Sequence, residues 1–490
     1  MKSRWASALL LPLWLSGCGS LLHSEYRQPA VQTPAYWFGD ASDGRALAAG
    51  ERWWETFADP RLNALVDDAL ARNNDLAVAA LRVRRATLQA GLTGTSISPD
   101  VNVGLGADWS KKLHAGNSSS RRFTTDTAIS YEVDLWGRLA STRDAAEWEA
   151  LATEYDRRAS ALSLIGTTAR LYWRIGLFNE LLSSARESIR YAEQTLRLVQ
   201  SQRLAGAASR LEEAQAEQVL ATQRAVLSDY QQQLEAARNA LAIVFDRAPE
   251  HRLSELEQLP AATLANVPAG LPAHLIDRRP DLQAAEWRLR QALSNYDATR
   301  ASFYPGFTLT SSLTTGGSRE LHNLLSDPAG VLGVGVTLPF LQWNVRKYTV
   351  GISKVDYETA IIGFRQGVYV ALFEVEDALS AREQFANQGA LSEQALAAAV
   401  KAEGLAEIRY RSGQTGIKEW LDLQETRRSA QITLAQNRFD RLQAQMGLYL
   451  ALGGRLRPLN FIPVLTSSYW DDGFAIKEDC VRGLVLVGFV

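Results

Sequence analysis

The sequence predicts an α + β membrane protein, internally duplicated, in which two pairs of β-strands alternate with two long helical hairpins. Three observations carry this. Beyond the extreme N-terminus no stretch of 18 or more apolar residues occurs, so a bilayer crossing would have to use strands in a closed barrel. Four segments alternate apolar and polar residues with a period of two. Two proline-free segments, Arg138 to Arg203 and Val345 to Arg411, carry apolar residues at helical spacing.

Composition sets the outer bounds. The chain has 490 residues, 52 basic and 54 acidic side chains and a formal charge of −2, with 46% hydrophobic and 22% charged residues. That is neither a disordered nor a collagen-like composition, and two cysteines make no disulfide scaffold. The balanced charge provides no broad basic surface for nucleic acid. At the N-terminus, Lys2 and Arg4 precede an apolar run from Trp5 to Leu15, followed by Ser16-Gly17-Cys18. A short basic region, a short apolar core and small residues at a cut describe an export signal.

The duplication shows at an offset of 206 residues, where Asp75, Leu76, Ala79, Arg82, Arg84, Ala86, Ser96 and Pro99 fall on Asp281, Leu282, Ala285, Arg288, Arg290, Ala292, Ser302 and Pro305. Each half opens with a helix (Leu62–Thr93 and Leu282–Ala301) ending near a proline that begins extended chain. Strands are expected at about 99–112 and 122–136 in the first half. The second half should have them at about 305–315 and 331–341. Val101, Val103, Leu105 and Trp109 take one face of the first strand, against Asn102, Gly104, Gly106 and Asp108. Helical hairpins are expected over about 138–246 and 345–452. At a rise of about 1.5 Å per residue, the first arm of each is a rod of roughly 100 Å and the second roughly 55 Å. A closed barrel takes about eight or more strands, so four per chain require several copies.

In this order, several motifs resemble the outer-membrane factors, the TolC/OprM family of bacterial export ducts (NodT-type lipoproteins). They are Trp53-Trp54-x-x-Phe57-x-Asp59-Pro60-x-Leu62-x-x-Leu65, Leu135-Trp136-Gly137-Arg138, Arg279-Pro280-Asp281-Leu282, Ala301-x-Phe303-x-Pro305, Tyr410-Arg411-Ser412-Gly413 and Leu450-Ala451-Leu452-Gly453-Gly454. The resemblance implies a homotrimer with four strands per chain in a 12-stranded β-barrel, continuous with a long periplasmic α-helical barrel. It also implies a passive outer-membrane duct of a tripartite efflux system, served by a periplasmic adaptor and an inner-membrane RND or MacB-like ABC pump. Leu15-Ser16-Gly17-Cys18 resembles a lipobox, which would make Cys18 a lipidated N-terminus in the outer membrane, with no other cofactor. One departure stands at Asn344, where the family usually has glycine; asparagine tolerates a left-handed corner.

The expected organisation is a signal peptide (1–17), an N-terminal anchor and equatorial segment (18–61), two repeats (62–268 and 269–454) and a C-terminal extension without an assigned role (455–490). By resemblance, Lys418, Glu419, Asp422 and Tyr410 fall on the periplasmic gate. Gly206, Ser209, Gly413, Gln414 and Thr415 fall on the tips that dock the adaptor. Glu419 and Asp422 lie one helical turn apart, so three chains would stack two acidic rings, with Lys418 placed to pair with Asp422. No catalytic motif appears, and the five histidines have no metal-binding spacing, so no enzyme is expected. The competing reading is a non-porous structural or adhesive periplasmic lipoprotein; a rod of that kind has no use for period-two strands.

Overall fold

The turn from Val133 into the first long helix is built from a few polar contacts. The computed structural model describes residues 22–38, 52–111, 119–249, 255–260, 267, 270, 272–318 and 328–454. Cys18, Cys480 and residues 455–490 lie outside the described residues. In chain order the elements are α1 (Pro60–Arg72), α2 (Asn74–Gly94), β1 (Asp100–Lys111), β2 (Ser119–Val133), α3 (Arg138–Leu204) and α4 (Arg210–Val244). The second half follows with α5 (Pro280–Ala301), β3 (Gly306–Ser318), β4 (Pro328–Thr337), α6 (Trp343–Arg411) and α7 (Ile417–Ala451).

Three local details differ from the sequence expectation. One helix was expected over Leu62–Thr93, but Asn73 divides it. Its side chain accepts from the Leu76 N–H at 3.0 Å and donates to the Val244 carbonyl at 2.9 Å. A side chain that caps a new helix start competes with continuation of the old one. Secondly, β2 stops at Val133, before Leu135-Trp136. Asp134 accepts from the Ala140 N–H at 2.8 Å, Gly137 takes φ 73°, and the Trp136 indole donates to the Pro305 carbonyl at 2.8 Å. Thirdly, Asn344 forms no left-handed corner. A short 3-10 turn at Pro339–Leu341 bends the chain, and Asn344 lies inside α6.

The four strands form one antiparallel sheet in the order β1-β2-β3-β4, with β1 and β4 at its edges. Val103 pairs with Thr127 and Thr127 with Leu313, while Leu309 pairs with Tyr131 and Val334. That face is apolar and exposed in the single chain, Leu105 at 79% and Leu332 at 86%. The opposite face carries Asp126, Thr124, Thr314 and Glu132. Gly104 sits under the Asp126 carboxylate, where a Cβ would lie 2.5 Å from its Oδ2. Such a sheet is oily on one side, wet on the other and unpaired at both edges, the pattern of a barrel segment. No helix among the described residues is long and apolar enough to cross a membrane.

Below the strands, three of the sequence motifs meet in one knot. Trp53 (1% exposed) stacks on Tyr449 at 5.0 Å, and Phe57 packs on Trp173. Gly453 ends α7 with φ 72°, and a Cβ on Gly454 would fall 2.3 Å from the Trp53 indole nitrogen. Arg279 bonds Asp281 at 2.7 Å and the Ala451 carbonyl at 3.3 Å, and it pairs with Glu374. These motifs hold the fold together and present no reactive group.

Candidate functional site

The far ends of the two hairpins carry the residues singled out for docking and gating. The first tip turns between α3 and α4 through Gly206, at φ 78°. The Gly206 N–H donates to the Arg203 carbonyl at 3.0 Å and the Ala207 N–H to that of Gln202 at 2.8 Å, a left-handed C-cap that requires glycine. Ser209 then starts α4. Its hydroxyl accepts from the Glu212 N–H at 3.2 Å, while its own N–H donates to the Glu212 carboxylate at 2.6 Å. This reciprocal pair satisfies two helix-end donors. Arg203 reaches across the turn to Glu213 at 2.6 Å.

The second tip repeats the backbone 207 residues on. Gly413 has φ 73°, with bonds from the Gly413 N–H to Tyr410 and from the Gln414 N–H to Arg409, both 2.9 Å. Its side chains differ. Gly416 stands at the helix start and offers no side-chain cap. Arg409 meets Glu419 at 2.8 Å, and Lys418 meets Asp422 at 2.6 Å, the pairing anticipated from their four-residue spacing. Lys418 and Asp422 side chains are 72% and 64% exposed, so the pair faces away from the protomer's interior. Of the residues expected at the docking tips, Gly206, Ser209, Gly413 and Gln414 are exposed, whereas the Thr415 hydroxyl is buried and without a partner among the described residues.

Tyr410 sits elsewhere than with the exposed charges. It is 6% exposed, stacks on Trp420 at 5.3 Å and bonds Gln202 of the first hairpin through its hydroxyl. Burial, and secondarily the charge of Glu212, raises its phenol pKa. Around it, Val199, Ala216, Ala406, Ile417, Trp420 and Leu421 form a core shared by both hairpins. Glu403 was not singled out in the sequence. It is 4% exposed and accepts from the Tyr191 hydroxyl at 2.6 Å, the Trp420 indole at 3.0 Å and Arg427 at 3.3 Å. Burial first, then Glu403 and Glu407, holds the Tyr191 phenol pKa well above its ordinary value. The available signal was an acid at helical spacing from Ala399, Ala406 and Tyr410, on the buried stripe of α6.

Residues 65–244 and 271–454 match the model of the outer membrane efflux protein family. The chain belongs to that family. It is 32% identical over 473 residues to the pyoverdine export outer membrane protein OpmQ of Pseudomonas aeruginosa, covering 93% of this chain and 97% of that one. It is 30% identical to the toxin and drug export protein A of Aggregatibacter actinomycetemcomitans, over 82% of this chain and 88% of the relative. Among solved structures, the open state of the Neisseria gonorrhoeae MtrE outer membrane channel superposes with a TM-score of 0.78 at 30% identity, covering 89% and 98% of the two chains. CusC superposes with 0.79 at 27% identity, covering 88% and 99%.

As a member of the outer membrane efflux family, the chain is one subunit of a homotrimer. Its four strands are a third of a 12-stranded barrel, which continues into a periplasmic helical barrel. The edges left free at β1 and β4 are the edges that neighbouring subunits close. The assembly is the outer-membrane duct of a tripartite efflux system and works with a periplasmic adaptor and an inner-membrane pump. Its relatives are channel proteins and point to no catalytic family. The non-porous rod is thereby set aside.

Proposed function

We propose that, within this efflux duct, the second hairpin tip is the periplasmic gate and both tips are the docking ends for the adaptor. The observation that carries the reading is the outward display of Lys418, Glu419 and Asp422 at the start of α7, over a packed aromatic interior. Three-fold repetition turns these side chains into rings across the duct. Each acid has a cation beside it, Arg409 for Glu419 and Lys418 for Asp422, so the resting rings are partly neutralised. Tyr410 serves the gate from inside, by holding the turn rather than by lining the passage.

The same reading gives Gly206, Ser209, Gly413, Gln414 and Thr415 to the adaptor interface, where small residues let a partner helix approach closely. Cys18 is the lipidated terminus, supported by the Leu15-Ser16-Gly17 that precedes it, and needs no other cofactor. The repeats, 62–268 and 269–454, each supply one strand hairpin and one helical hairpin. Relatives named for pyoverdine, for cations and for toxins and drugs support a duct that leaves cargo selection to the pump.

Single-channel conductance of purified trimers tests the gate. Glu419→Ala with Asp422→Ala should raise resting conductance and reduce cation preference, whereas Lys418→Ala alone should increase cation preference. A double variant with the parent's conductance and selectivity would place the gate elsewhere.

A further inference from the structure

We infer that Glu403 is a positioning residue, a buried lock that fastens the second hairpin to the first and so holds the turn carrying Glu419 and Asp422. The inference rests on the gate reading for its functional consequence, but its structural half stands alone. Glu403 lies on α6, two helical turns before Tyr410, and is 4% exposed. A carboxylate there survives only if its oxygens are well served. Tyr191, from α3 of the first hairpin, donates to Oε1 at 2.6 Å. Trp420, from α7, donates to the same oxygen at 3.0 Å, and Arg427, two turns further along, approaches Oε2 at 3.3 Å. One acid therefore joins three helices of two hairpins. Trp420 stands between Glu419 and Asp422 in the chain, so fixing its indole fixes the turn that displays both acids.

Two further observations separate this contact from ordinary packing. The equivalent positions of the first hairpin, 207 residues earlier, are Leu196 for Glu403, Glu213 for Trp420 and Leu220 for Arg427, so the first hairpin has no such acid. An apolar pair would fill the space at less cost, since buried ion pairs rarely stabilise more than packed hydrophobic residues of like volume. In addition, Glu403 and Arg427 border a polar cavity of about 220 Å³ between the hairpins. Its wall includes Gln223, 1% exposed, whose side-chain oxygen has no partner among the described residues, and Gln424, whose amide nitrogen has none there either. A polar space of that size holds water. Water beside the lock gives each separated group a replacement partner, which makes the contact releasable in a way that an oily seam is not.

The experiment measures hairpin separation and conductance on the same trimers. Spin labels at Ala207→Cys and Gln414→Cys, in a Cys480→Ser background, are diluted among unlabelled chains so that one protomer's pair is read. Glu403→Ala should lengthen and broaden that distance by several ångströms while trimers stay heat-modifiable, and resting conductance should rise severalfold. If Glu403→Ala does not assemble, Glu403→Gln, which keeps the volume, and Trp420→Phe, which removes the indole donor, carry the test. A longer distance with unchanged conductance upholds the lock and removes the gate assignment. An unchanged distance in the assembled variants overturns the lock, whatever the conductance does.

Discussion

The two helical tips share a backbone and differ in what holds it. Both turn through a left-handed glycine with the same pair of backbone bonds. The first is secured by its own neighbours: Ser209 and Glu212 cap each other, and Arg203 spans ten residues to Glu213. The second has its own ten-residue ion pair, Arg409 to Glu419, but an uncapped start at Gly416, and more distant partners add to its hold, Tyr410 to Gln202 and Trp420 to Glu403 and thence to Tyr191. A locally capped tip keeps its shape wherever its hairpin goes. A tip held by another hairpin can be released as a unit without unravelling its own helix starts. The duplication has thus produced two tips with one backbone and different means of holding it.

The largest expected effect tests that contrast directly. Tyr410→Ala empties a core shared by both hairpins and should cost about 3–5 kcal/mol of local stability. Its backbone equivalent, Arg203→Ala, removes a partly exposed ion pair worth about 0–1 kcal/mol. Hydrogen exchange of the tip amides reads both. Equal effects would erase the distinction between the tips.

Next come the glycines that the tips have in common. Gly206→Val and Gly413→Val each force a branched side chain into left-handed backbone, at about 1–2 kcal/mol. Open space surrounds both positions, so strain is the main cost within the chain. Trimers should remain while efflux is lost, measured as drug accumulation in cells alongside trimer mobility. Parental efflux from either variant would return that tip to a plain helix cap.

A smaller effect sharpens the comparison. Ser209→Ala removes the cap of the first tip and should loosen the α4 start by about 1 kcal/mol, whereas Gly416→Ser gives the second tip a cap and should tighten α7 by a few tenths to about 1 kcal/mol. Amide exchange of residues 210–213 and 417–420 reports the two changes, which should have opposite signs.

The smallest effect is a pH dependence confined to the contact between the hairpins. Tyr191 holds its proton more tightly in the folded chain than in the unfolded one, because it is buried beside Glu403 and Glu407. Its contribution is therefore complete below the ordinary phenol value of about 10 and declines as pH rises toward the higher folded value. The spin-label separation should stay constant up to about pH 10 and widen only above it, and Tyr191→Phe should flatten that response. A parental profile in the phenylalanine variant would assign the transition to another group.

Much of this architecture is legible in the chain because its signals are local. Alternation from Val101 to Trp109 reports a strand with one oily face, and the Gly137 and Gly413 neighbourhoods mark turns. The break at Asn73 was hidden because the apolar pattern runs through it; a contact to Val244, 171 residues away, makes it. Asn344 misled for the opposite reason, since its tolerance of a left-handed turn goes unused where proline and a 3-10 turn already bend the chain. At the tip, the Lys418–Asp422 pair followed from spacing alone, whereas the burial of Tyr410 did not.

By itself, the sequence determined the duplication, the four strands with their two faces, the lengths of the four long hairpin helices and the need for more than one copy. The duplication follows from identities at an offset of 206 residues and the need for copies from the strand count, while strands and helices follow from periods of two or of three to four residues, which any local segment displays. Tertiary structure alone decided which charged groups face outward and which are locked away. Glu403 and Glu419 are both acids on long amphipathic helices, yet one is buried against Tyr191, 212 residues distant, and the other pairs with Arg409 at the surface. The physical reason is that helix crossings select one residue from each stripe for contact, and that selection depends on how two hairpins far apart in the chain pack together.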